Sequence, residues 1–155
     1  MILTGDYLPH FALYNQNQRL RRNDDYEGKW LVLFIYPKDD TPGCTLESKD
    51  FQQSLRDFDK LETKVVGLSA DNTSSHANFC HKYLLTFDFL ADPEEKLLKQ
   101  IDAGFKENNG EKFWNRTTFI MNERGIVKHI FENVVPENHV NHVLKFVQKM
   151  KEDYQ

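Results

Sequence analysis

The feature that most limits what this chain can fold into is the unbroken apolar run Trp30-Leu31-Val32-Leu33-Phe34-Ile35-Tyr36, closed by Pro37. Its length and its β-branched and aromatic content predict a strand, and the lack of polar alternation predicts burial on both faces. Pro37 offers no N–H to a ladder and ends the strand. A strand covered on both faces belongs to the middle of a layered α/β structure.

The rest of the chain reads in keeping with that centre. Residues 8–36 are extended pieces broken by polar turns. Residues 43–60 read as a helix, with Phe51, Leu55 and Phe58 at helical spacing, and 64–69 as a second short buried strand. Residues 73–84 read as a helix with Ala77, Cys80 and Leu84 on one side. Phe87–Leu90 reads as a strand, Pro93–Ile101 as a short helix, and Gly104–Gly110 as a polar loop without phosphate-binding spacing. Thr117–Met121 and Ile126–Phe131 flank Asn122-Glu123-Arg124-Gly125, a β-hairpin signal. Residues 137–151 close as a helix, with Val140, Val143, Leu144 and Val147 in one stripe. The order predicts an α/β sandwich with a mixed central sheet flanked by helices. A hairpin beside a βαβ unit points to a thioredoxin-like layout, with an N-terminal β-hairpin ahead of it. At 155 residues the expectation is one domain, 1–155, whose Phe-rich core (12 Phe) needs neither disulfide staples nor a structural metal.

Charge and composition exclude several classes of function. Twenty Lys+Arg against 24 Asp+Glu give a net charge of −4, which argues against nucleic acid as a partner. The one compact basic spot, Arg19, Arg21 and Arg22, runs straight into Asp24 and Asp25 and reads as a solvated loop. No apolar run is long enough to span a membrane, and the first residues lack a secretory pattern, so the expected location is reducing cytoplasm. Two cysteines there are either inert or cycle through a transient disulfide. There is no C-x-x-C. His139 and His142 stand three apart, but no Cys or carboxylate completes a metal site, and they read as a solvated helix face.

The sharpest chemical signal is Pro37-Lys38-Asp39-Asp40-Thr41-Pro42-Gly43-Cys44-Thr45, which follows the buried strand and opens a helix. The first turn of a helix presents free N–H groups and partial positive charge, and both favour a thiolate. Proline suits an early helical position, and glycine lets a ligand approach the backbone. The plain alternative is a buried inert cysteine with Thr41 as a helix cap.

Pro37, Thr41 and Cys44 match the P-x-x-x-T-x-x-C pattern of the peroxiredoxins, cysteine-dependent peroxidases of thioredoxin-like fold. The string from Tyr36 to Thr45 resembles the bacterioferritin comigratory protein or peroxiredoxin Q subfamily, and Arg116-Thr117-Thr118-Phe119 resembles the segment with that family's arginine. The resemblance extends from Gly5-Asp6 through the last helix. It implies that Cys44 attacks peroxide and becomes a sulfenic acid. It also implies that Thr41 hydrogen-bonds the peroxide, that Arg116 favours the thiolate and holds the reacting oxygens, and that Pro37 shields the sulfur from water. Backbone N–H groups of Gly43 and Cys44 would complete the cradle. Without the motif, Arg116 would read as a surface ion pair.

Many subfamily members carry a resolving cysteine five residues after the first, where this chain has Lys49. Others carry it on the next helix, and Cys80 fits that pattern. The resemblance therefore implies a Cys44–Cys80 disulfide, local unwinding to form it, and recycling by thioredoxin or a similar small dithiol protein. His81 and Lys82 are candidates to lower the Cys80 pKa; a small core residue is the alternative for Cys80. The implied enzyme is a monomeric thiol peroxidase acting on hydrogen peroxide and organic hydroperoxides without a cofactor. Two other readings stay open: a single-cysteine peroxidase resolved by an external thiol, and a peroxide sensor or redox relay.

Overall fold

The computed structural model describes residues 1–153. Strands β1 (Ala12–Tyr14) and β2 (Leu20–Arg22) form an antiparallel hairpin. Then follow β3 (Trp30–Ile35), α1 (Pro42–Gln53), α2 (Leu55–Lys60), β4 (Thr63–Ser69), α3 (Thr73–Tyr83), β5 (Asp88–Ala91) and α4 (Lys96–Ile101). A second hairpin, β6 (Phe105–Asn108) and β7 (Glu111–Trp114), precedes β8 (Thr117–Met121), β9 (Val127–Phe131) and α5 (His139–Asp153). The main sheet has five strands in the order β5-β4-β3-β8-β9. β3, β4 and β5 run parallel, while β8 is antiparallel to β3 and to β9. This is the mixed, helix-flanked sheet of the thioredoxin-like expectation.

β3 is buried along its whole length. Its period-2 geometry divides the core: Trp30, Val32, Phe34 and then Tyr36 join one cluster, and Leu31, Leu33 and Ile35 the other. The first cluster takes Phe51, Phe58, Phe79, Val140, Val143 and Val147 from the helices, and it contains both cysteines. The second takes Leu97, Leu98 and Ile101 from α4. The N-terminal hairpin covers the open edge of the sheet. The Gln16 amide donates to the Phe87 carbonyl and accepts from the Phe89 N–H, which satisfies backbone that would otherwise be exposed.

Four expectations need correction. The helix read over 43–60 is two helices broken at Ser54, whose N–H bonds back to the Asp50 and Phe51 carbonyls as α1 ends. The polar loop read over 104–110 is most of a hairpin. Asn109 and Gly110 both take positive φ, 52° and 79°, as its tight turn requires. Arg21 is not in a solvated loop: it lies on β2 and pairs with Asp88 at 3.2 Å. The buried face of α3 is His76, Phe79 and Cys80, with Ala77 and Leu84 exposed. Leu84 ends the helix in the left-handed region, φ 56°, and points away from the core.

Candidate active site

Helix α1 begins where β3 releases the chain. Thr41 is its N-cap in extended conformation, Pro42 its first residue, and the first intrahelical bond runs from the Thr45 N–H to the Thr41 carbonyl at 2.8 Å. The N–H groups of Gly43 and Cys44 precede that bond and have no acceptor within the helix. Cys44 is fully buried one turn in. The Thr41 hydroxyl does not cap the helix but donates to the Lys38 carbonyl at 2.8 Å, so toward any ligand it can only accept.

Arg116 arrives in the short link between β7 and β8, the strand that pairs with β3. Its Nη2 donates to the Cys44 sulfur at 3.4 Å and its Nη1 to Glu47 Oε1 at 2.8 Å. One planar guanidinium therefore spans both side chains, a geometry that a lysine ammonium cannot copy. Burial works against the Arg116 charge, but Glu47 and Cys44 outweigh it and hold its pKa above the ordinary value. Gly43 makes the approach possible: a Cβ there would sit 3.0 Å from Arg116 Nη2 and 3.2 Å from Pro136 Cγ. Pro37 and Arg116 line one cleft together with Phe113, Trp114, Asn133 and Val134.

Four of the five residues picked from sequence thus meet at or beside one helix start: Cys44, Thr41, Pro37 and Arg116. Cys80 does not join them. Both cysteines are free, and Cys80 lines a separate cleft with Gln16, Asn17 and Ala77. Burial, and then the charge of Asp39, push its pKa up to about 12. The expected help from His81 and Lys82 is absent, because His81 is exposed and Lys82 pairs with Asp40 at 2.8 Å.

Glu47 is a site residue that the sequence motif does not mark. It lies three residues after Cys44, one helical turn on the same side, and that spacing was the available signal. It is fully buried. Burial pushes its pKa up to about 7 against the opposing pull of Arg116, and Oε2 has no hydrogen-bond partner. His139 Nε2 stands 3.8 Å from that oxygen and 2.8 Å from the Thr118 hydroxyl. Burial lowers its pKa to about 4, so it is neutral at pH 7. The solvated face read for His139 is therefore a buried contact at the start of α5, while His142 is exposed beside Asn138. Among the described residues, Asp39, Asp71 and His76 are close enough to hold a metal ion, but hydrogen bonds to their neighbours already engage them.

Glu47 gives the fold a pH signature. Folded, it keeps a proton up to about pH 7; unfolded, it releases it near 4.5. The stability that this adds is complete below about pH 4.5 and is lost as pH rises through about 7. Wild type should lose up to roughly 3 kcal/mol relative to Glu47→Gln across that window, read by urea denaturation at a series of pH values. Parallel curves for the two proteins would contradict the assignment.

A model of the AhpC/TSA family matches residues 4–130. The chain belongs to the AhpC/TSA family. Within that family it is a peroxiredoxin of the Q or Bcp kind. Peroxiredoxin Bcp of Bacillus subtilis is 34% identical over 151 residues, covering 96% of each chain. Chloroplastic peroxiredoxin Q of Sedum lineare is 33% identical over 151 residues, 97% of this chain and 80% of that one. Among solved structures, a cysteine-to-serine mutant of Xylella fastidiosa PrxQ superposes with a TM-score of 0.91 at 29% identity, covering 97% of this chain and 98% of that one. Bacterioferritin comigratory protein of Xanthomonas campestris, described for its alkyl peroxide reduction activity, gives a TM-score of 0.85 at 31% identity over 91% and 92% of the two chains. Among the described residues, no helix is long and apolar enough to cross a membrane.

Proposed function

We propose that this peroxiredoxin reduces hydrogen peroxide and organic hydroperoxides through Cys44, with Cys80 as resolving thiol and a thioredoxin-like dithiol as reductant. The observation that carries the reading is the Arg116 Nη2 contact to the Cys44 sulfur, 3.4 Å long, at the open start of α1. Both the guanidinium and the free N–H groups bring positive charge and donors to the sulfur.

The chemistry follows from the donors. The Cys44 thiolate attacks the terminal peroxide oxygen, a sulfur–oxygen bond forms, and the O–O bond breaks. The leaving oxygen takes a proton and departs as water or an alcohol. Sulfur is oxidised by two electrons to a sulfenic acid, and the peroxide is reduced by the same two. Arg116 and the Gly43 and Cys44 N–H groups stabilise charge on the parting oxygens. The Thr41 hydroxyl, its proton committed to Lys38, accepts from the peroxide O–H. Pro37, which lines a cleft with Arg116, would shield the sulfur from water. Cys80, as thiolate, then attacks the Cys44 sulfur, and the sulfur–oxygen bond breaks with loss of water to leave a disulfide. An external dithiol returns both thiols. The reading places this cycle in a monomer in a reducing compartment, the cytoplasm.

The burial of Cys80 and its raised pKa favour the alternative that an external thiol resolves Cys44. Cys80→Ser separates the two. On the proposed reading it reacts once with peroxide and then stalls with thioredoxin as reductant, while an added small thiol rescues it. Undiminished turnover of Cys80→Ser with thioredoxin would assign resolution to the external thiol and return Cys80 to the core.

A further inference from the structure

Between Pro37 and Thr41 the chain carries two adjacent aspartates, and both reach across to α3. The buried one, Asp39, accepts from the Tyr36 hydroxyl on one oxygen. On the other it accepts from the Ser75 hydroxyl at 2.8 Å and faces His76 Nδ1 at 2.7 Å. The other ring nitrogen of His76 faces the Leu90 carbonyl at 3.0 Å. His76 thus ties the Asp39 carboxyl of the active-site loop to the Leu90 carbonyl of β5, with an oxygen opposite each ring nitrogen. The Asp39 N–H is fixed in turn by Asp71, at 2.9 Å. The exposed aspartate, Asp40, is held in the left-handed region at φ 58°. It pairs with Lys82 at 2.8 Å and accepts from the Tyr83 hydroxyl.

The placement of these contacts along α3 is informative. Ser75 and His76 lie just before Cys80, and Lys82 and Tyr83 just after it. The loop that leads into Cys44 therefore grips the Cys80 segment on both sides. The Cys44 sulfur faces Arg116, whereas Cys80 lines a different cleft. Since a disulfide needs its two Cα atoms within about 7 Å and converging Cβ directions, one segment has to move. The apolar hold on α3 is short, mainly Phe79 and Cys80, so its polar grips form a large part of what keeps it in place.

We propose that Asp39 and Asp40 latch α3 to the active-site loop, with His76 as the main positioning residue, and that release of this latch sets how fast Cys80 resolves oxidised Cys44. The proposal rests on Cys80 being the resolving thiol. While the latch is closed, burial and the Asp39 carboxylate keep Cys80 protonated and unreactive. When it opens, both restraints leave together, so Cys80 is freed in the same movement that delivers it. A slow latch also leaves Cys44 longer as sulfenic acid, open to further oxidation by a second peroxide to the sulfinic form.

The test mixes reduced protein with one equivalent of hydrogen peroxide, quenches with an alkylating reagent at intervals, and counts sulfenic acid and disulfide by mass spectrometry. His76→Gln should form the disulfide about tenfold faster than wild type, the scale of one buried hydrogen bond lost. Lys82→Met with Tyr83→Phe, which alters only exposed or half-exposed groups, should be about threefold faster. Sulfenic acid formation should be unchanged in both, and sulfinic product under excess peroxide should fall. Ile101→Val, on the opposite face of the sheet, destabilises the fold without touching the latch and should resolve at the wild-type rate. Wild-type disulfide rates in both latch variants, or equal acceleration by Ile101→Val, would overturn the proposal alone. If wild type forms no Cys44–Cys80 bridge at all, the resolving assignment falls and takes the latch with it.

Discussion

Replacing Cys44 by serine is expected to lower peroxide turnover by more than about 10³-fold, the scale on which enzymes lose rate when their nucleophile is removed. A hydroxyl at this position cannot ionise near neutral pH, so neither Arg116 nor the helix start can turn it into a nucleophile. The fold should survive, because Phe51, Phe58 and the α5 valines anchor the helices and the serine is nearly isosteric. The readout is a thioredoxin-coupled peroxide assay run beside circular dichroism. Loss of activity with an unchanged spectrum supports the assignment; wild-type turnover removes it.

Arg116→Met should produce the second large loss. It takes away the charge beside Cys44 and the donors for the parting oxygens, at a cost of roughly 10²–10³-fold in rate. It also leaves Glu47, a fully buried side chain that keeps its proton up to about pH 7, without its hydrogen-bond partner at 2.8 Å. Leaving a buried polar group without its partner costs about 1–3 kcal/mol, so the variant should melt early. Adding Glu47→Gln removes the cost of ionising this buried acid as pH rises, so it should recover stability at high pH but none of the activity. Arg116→Lys should keep part of the activity, since the charge remains but the two-sided fork is lost. A stable double variant that regained wild-type turnover would show Arg116 to be a structural partner of Glu47 and nothing more.

What the sequence shows of this molecule and what it hides divide along physical lines. The strand at Trp30–Ile35 is legible because burial on both faces leaves an uninterrupted apolar run. The helix start at Cys44 is legible because proline, glycine and threonine mark it locally. The β6–β7 hairpin is overlooked because its strands are exposed and polar, although Asn109-Gly110 is a strong turn signal. The α3 face is hidden from an apolar pattern because His76 forms part of it, and a fully buried histidine with two oxygen partners is as much a core residue as a leucine. Glu47 and the Asp39–His76 pair depend on contacts across 69 and 37 residues, which periodicity cannot register. Arg116 is reached from sequence only through the family resemblance, since nothing local ties a residue between two strands to a cysteine 72 positions earlier.

The central claim is that the start of α1 and Arg116 together make Cys44 a fast peroxide nucleophile. The most direct measurement is the second-order rate at which Cys44 in the Cys80→Ser variant is oxidised by hydrogen peroxide, followed by sulfenic acid trapping on the Cys44 peptide. The account predicts a rate at least about 10³-fold above that of a free cysteine at the same pH, as preorganised donors around a reacting atom supply. A rate equal to that of free cysteine would show the arrangement to be structural and contradict the account.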